Sequence, residues 1–91
     1  MTDILDFSNK NLTVLPDLPD SLQTLYCSYN QLTILPDLTQ CKDLQYLKVR
    51  GNNFSDEMNE ILFNDNLNVQ EKIKQLDDKN LFMYNNNFIL K

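Results

Sequence analysis

The stretch Leu22-Gln23-Thr24-Leu25-Tyr26-Cys27-Ser28-Tyr29-Asn30-Gln31-Leu32-Thr33-Ile34-Leu35-Pro36 decides how this chain folds. Its apolar residues fall at Leu22, Leu25, Cys27, Leu32 and Leu35, with Asn30 set among them. Twenty residues earlier, Leu5, Phe7, Leu12 and Leu15-Pro16 stand in the same register, with Lys10 in the Asn slot. Twenty-two residues later come Leu44, Leu47, Val49, Asn52 and Phe54. Three copies agree at the apolar positions with no gap inside the motif, which marks an internal repeat.

Strand geometry gives the pattern a physical meaning. Side chains alternate between the two faces of a strand, so Leu25 and Cys27 are expected to point inward while Thr24, Tyr26 and Ser28 point out. Leu32 and Leu35 then turn back into the core. A buried Asn at positions 30 and 52 can satisfy backbone groups that a curving chain leaves unpaired, and losing such a partner costs ~1–3 kcal/mol. An ammonium cannot sit unpaired in a core, so Lys10 is expected at an open end where it reaches water.

The spacing L-x-x-L-x-L-x-x-N-x-L resembles that of leucine-rich repeats, over roughly Thr2 to Phe54. Leu15-Pro16-Asp17-Leu18-Pro19-Asp20 and Leu35-Pro36-Asp37-Leu38 are similar to the short repeats of bacterial type III effectors. The run Leu25-Tyr26-Cys27-Ser28-Tyr29-Asn30 is similar to repeats in proteins of giant viruses of amoebae. The resemblance implies an α/β fold: a short leucine-rich repeat solenoid of about two and a half to three turns. Its parallel strands would line a concave face, and proline would keep the convex side extended.

After Phe54 the register fails, because the slots for Leu and Pro fall on Glu57 and Met58. Ser55 reads instead as a helix N-cap, with Asp56 and Glu57 in the first turn and Met58, Ile61 and Leu62 at helical spacing. Asn64-Asp65-Asn66 is a break. Asn68 followed by Glu71 reads as a capping box, ahead of Val69, Ile73 and Leu76 on one helix face, with an end at Asp77-Asp78-Lys79-Asn80. Residues 81–91 hold two apolar runs around an Asn turn and favour a strand-like reading. So few repeats need cover, and we expect residues 1–54 to form the repeats and 55–91 a helical C-terminal cap and tail of the same domain.

The totals exclude several functions. At 91 residues there is room for one core, and 42% apolar with 23% charged residues is an ordinary globular composition. A net charge of −5 argues against nucleic acid or an anionic membrane as partner. No apolar run approaches the ~20 residues of a membrane span. Met1-Thr2-Asp3-Ile4-Leu5-Asp6 lacks the marks of a secretory signal, so a natural start there implies the cytosol, the host's cytosol for a viral or effector protein. There is no His, and Gly51 is the only glycine, so neither metal and acid–base chemistry nor a phosphate loop has its usual residues. Cys27 and Cys41 read as packed thiols, not nucleophiles, and Asp17, Asp20 and Asp37 as turn residues. We expect neither catalysis nor a cofactor. Thirteen Asn, one Arg and no Ala or Trp point to an AT-rich coding genome.

The outward strand positions form columns Ile4-Thr24-Tyr46, Asp6-Tyr26-Lys48 and Ser8-Ser28-Arg50, with Tyr29 beside them. In the resemblance this face is the one that commonly binds protein, and Tyr and Arg are enriched among interface hot spots. The expected protein-binding residues are therefore Asp6, Thr24, Tyr26, Ser28, Tyr29, Tyr46, Lys48 and Arg50. Tyr also suits exposed strands on propensity alone, so the same columns fit a plain solvated face. The first strand, Ile4 to Phe7, is a candidate open edge, and that edge or the tail offers a route to self-association, as in an assembly component.

Overall fold

A computed structural model of the chain describes residues 3–84. Its strands are β1 (Ile4–Asp6), β2 (Thr24–Tyr26), β3 (Leu35–Pro36), β4 (Tyr46–Lys48) and β5 (Phe82–Met83), with helices α1 (Asp56–Leu62) and α2 (Val69–Asp78) between β4 and β5. The three repeated segments lie side by side as a parallel sheet in the order β1-β2-β4. The register matches the sequence offsets: Leu5 pairs with Leu25 and Leu25 with Leu47. Backbone bonds continue the ladder beyond the strands, from Phe7 N to Tyr26 O at 2.7 Å and from Cys27 N to Lys48 O at 2.9 Å.

Asn30 adds side-chain bonds between the first turn and the second to those of the ladder. Its Oδ1 accepts from the backbone N–H of Lys10 at 2.9 Å and of Leu12 at 3.0 Å. Its Nδ2 donates to Phe7 O at 2.8 Å, Cys27 O at 3.1 Å and Ser28 O at 3.4 Å. Asn52 makes a shorter set, accepting from Leu32 N at 3.1 Å and donating to Val49 O at 2.9 Å and Cys27 O at 3.0 Å. A carboxylate or hydroxyl could not both donate twice and accept, so the amide is the chemistry this position requires. Lys10 is exposed.

The core is one cluster. Leu22, Leu25, Leu32, Leu35, Leu38 and Leu44 are completely buried, as is Leu76 from α2, with Cys27 among them. Burying each such side chain contributes roughly 1.5–3 kcal/mol. Leu5, Phe7, Leu12 and Leu18 of the first turn are only half-buried against this cluster. Among the described residues no element covers the outer side of β1, which leaves that turn one neighbour instead of two.

Both helices begin as their residues dictate. The Ser55 hydroxyl accepts from Met58 N at 3.2 Å, and Asn68 and Glu71 form a reciprocal capping box at 2.8 Å each way. Met58, Ile61, Leu62, Ile73 and Leu76 face the core. Gln70 then ties α2 to the turn ahead of β4, its Nε2 donating to Cys41 O at 3.0 Å and Leu44 O at 2.9 Å.

One pairing lies beyond what the periodicity indicates. β5 runs parallel to β3, with Leu35 opposite Phe82 and Pro36 opposite Met83. The strand that the third turn lacks at Glu57-Met58 is thus supplied after two helices. Phe82 is buried, and the Tyr84 hydroxyl donates to Asp77 Oδ1 at 2.9 Å, fastening β5 to the end of α2. The strand-like reading of the tail therefore has a counterpart at Phe82–Met83, while the Asn turn and second apolar run fall at 85–91, outside the described residues.

Candidate functional site

Each turn leaves its strand through a residue with left-handed backbone: Asn9 at φ 58°, Tyr29 at φ 61° and Gly51 at φ 77°. The three stand in the repeat register, twenty and twenty-two residues apart. Gly adopts this conformation freely and Asn readily, but for Tyr it costs about 1 kcal/mol or more. The bend is held by backbone bonds to the next turn, Asn9 N to Ser28 O at 3.0 Å and Tyr29 N to Arg50 O at 2.7 Å.

The consequence is a side chain aimed out of the sheet. Tyr29 is 55% exposed, and its ring lies over Gly51, where an added Cβ would stand 2.8 Å from Tyr29 Cε1. The single glycine of the chain thus makes room for the tyrosine of the turn before it.

Tyr29 forms one wall of a groove of about 450 Å³. Tyr26, Ser8 and Ser28 are its floor, and the continuous run Leu47, Lys48, Val49 and Arg50 follows it along and beyond β4. The lining also includes Leu62 at the end of α1, Phe63 and Asp65 from the link between the helices, and Lys72 of α2. Phe63 is exposed, because it falls one position past the inward face of Met58, Ile61 and Leu62.

The expected face therefore divides. Tyr26, Ser28, Tyr29, Lys48 and Arg50 come together in the groove, whereas Asp6, Thr24 and Tyr46 do not line it. Thr24 is a correction: it lies in the outward column between Ile4 and Tyr46, yet is only 7% exposed. A small side chain on the central strand is flanked on both sides by larger ones, and alternation alone does not register that. Tyr46, 60% exposed, sits with Ile4 at the other end of the face. Asp6 is exposed on β1, separated from Lys48 by the Tyr26 strand. The Ser8 backbone N–H, 2.9 Å from its Oδ1, holds the Asp6 carboxyl below the usual carboxylate range, helped by the Ser8 hydroxyl and the charge of Lys10.

Phe63, Asp65 and Lys72 were not visible from the repeat. Phe63 alone has a signal in the sequence: Ile61-Leu62-Phe63 puts three apolar residues in succession at a helix end, where one must face outward. The cysteines stay out of the site: both are free and buried. Burial pushes the Cys27 thiol up to about 12, and burial with the carboxylates of Asp20 and Asp37 raises that of Cys41.

The family described as leucine-rich repeats in two copies matches residues 20–91. The chain belongs to the leucine-rich repeat family. The match takes in β2 through β5 and therefore includes the helical segment, while β1 and its Lys10-bearing turn precede it. Repeats of this family generally mediate protein–protein interaction and are typically non-catalytic. No curated protein and no solved structure matches the chain. Among the described residues, no helix is long and apolar enough to cross a membrane.

Proposed function

We propose that this leucine-rich repeat chain is a non-catalytic binding module that takes a partner protein into the groove between its strand face and the α1–α2 segment. The observation that carries this is the convergence of Tyr26, Tyr29, Lys48 and Arg50 with Phe63 in one cleft. Aromatic and Arg side chains around a concavity are what interface hot spots are made of. In this reading residues 55–84 act as the C-terminal cap of a short solenoid, and the cap also supplies part of the site's lining. The test is affinity capture from the native cell or host lysate, comparing wild type with a Tyr26→Ala/Arg50→Ala variant. Specific capture should disappear in the variant while its circular dichroism and thermal transition are retained. Capture of every partner by the variant as by wild type would overturn the reading.

A second reading is supported by β1, whose outer edge has no partner strand among the described residues and whose Leu5 and Phe7 are half-buried. There the chain serves as an assembly component, of a viral particle for example, pairing edge to edge with another copy. A strict monomer by light scattering at high protein concentration would rule it out.

A further inference from the structure

We propose that the occupant of the groove is an extended acidic peptide segment, with carboxylates set around an apolar or aromatic side chain. This rests on the binding-module reading above and specifies its chemistry.

The charges point to it first. Lys48, Arg50 and Lys72 bring three cations to the groove from two different parts of the chain, against a single acid, Asp65. The ion pairs among the described residues are Lys74 with Asp78 and Lys79 with Glu57, so none of the three groove cations is neutralised by one. On a protein of net charge −5 this is a local reversal of sign. An incoming carboxylate gains charge-assisted bonds, with the Arg50 fork suited to bidentate pairing. A basic or neutral segment would desolvate the same cations without pairing them.

Shape adds the second constraint. Four consecutive residues, Leu47 to Arg50, follow one side, a run of about 10 Å at strand spacing. A volume of about 450 Å³ is within the ~300–1,000 Å³ range of ligand clefts, which suits a few side chains better than a folded surface. Tyr26, Tyr29 and Phe63 provide the apolar contact between the cations. Tyr29 is the third constraint. The same register position holds Asn9 and Gly51 in the other turns, and a tyrosine there is strained in the fold. Its ring nevertheless stands in the groove, where an aromatic has a use that Asn or Gly would not serve.

The test is to pan the full chain against phage-displayed random dodecapeptides, then titrate the selected peptides by fluorescence anisotropy. The expected sequences are rich in Asp and Glu around a hydrophobic residue, and their binding weakens as salt rises through the physiological range. Lys48→Glu and Arg50→Glu should each weaken binding about tenfold or more. Lys74→Glu, the same charge change on the exposed side of α2, should shift it less than about twofold. All three positions are exposed, and a retained thermal transition certifies each variant. Selected peptides without acidic bias that still depend on Tyr26 would overturn the acidic chemistry and leave the binding module standing. Peptides indifferent to every groove variant, or no selection at all, would overturn the groove as a peptide site; the lysate capture then decides the module reading separately.

Discussion

The ring of Tyr29 rests on the α-carbon of Gly51, one turn of the repeat reaching across the next, and each residue is conformationally suited to the other. Gly51 leaves the space that the ring fills, and both have left-handed backbone. We expect Gly51→Ala to destabilise the protein by about 1–3 kcal/mol, since its Cβ meets the ring and its φ is unfavourable for Ala. Tyr29→Asn should instead stabilise by about 0.5–1 kcal/mol by relieving the strain. In the Asn background Gly51→Ala should cost measurably less, giving a coupling of at least about 0.5 kcal/mol. Urea unfolding of the four proteins reads this directly, and strict additivity would contradict the contact.

The two asparagines should differ. Asn30→Ala removes five bonds and leaves backbone groups of two turns unpaired, for a cost of about 3 kcal/mol or more, while Asn52→Ala removes three and should cost less. Asn30→Asp should be nearly as damaging as Asn30→Ala, because a carboxylate cannot donate to Phe7 O and Cys27 O. Equal unfolding midpoints for Asn30→Ala and Asn52→Ala would refute the ranking.

Alkali should destabilise the protein through two partly or fully buried groups, Cys27 and Tyr84. Burial raises Cys27 from its ordinary 9.0 to about 12, and burial together with the Asp77 carboxylate raises Tyr84 from 10.0 to about 12. A raised folded value means the folded state holds its proton longer, so the associated stability is complete below about pH 9 and declines as pH climbs towards 12. Thermal midpoints recorded across that interval should fall, and Cys27→Val with Tyr84→Phe should flatten the decline. The same burial makes Cys27 inert to thiol reagents until the protein unfolds.

Phe82→Ala should cost about 3–5 kcal/mol, as for a large buried aromatic, although it lies outside the recognisable repeat. Gln70→Ala should cost about 1–2 kcal/mol by removing its bonds to Cys41 O and Leu44 O. Guanidinium unfolding checks both; a near-neutral Phe82→Ala would mean that β5 adds little to the core.

The strands, their register and the inward leucines were legible because each is a local periodicity repeated three times. The helix starts at Ser55 and Asn68 were legible for the same kind of reason, since a cap is defined within four residues. The strand face was legible in part: Tyr26, Ser28, Tyr29, Lys48 and Arg50 follow from alternation and proximity to the strand end. What closes over that face does not, because nothing in the spacing of Leu62 or Lys72 states where a helix docks. The burial of Thr24 depends on neighbours two strands apart, and the β3–β5 pairing on residues with no shared pattern. The strain at Tyr29 was in principle readable, given Asn9 and Gly51 at the same register.

That β3–β5 pairing also bears on how the chain acquires its structure. Repeat arrays ordinarily grow turn by turn, each unit templating the next with nearest-neighbour stability. Here Leu35 waits for Phe82, across most of the distance between the second turn and the last described residues. Closing so long a loop carries its entropy before any reward, which slows assembly and penalises partial structures. The same link ties the second turn to the segment beyond the helices, so residues from Leu35 to Met83 should unfold in a single transition without fraying from the helical end.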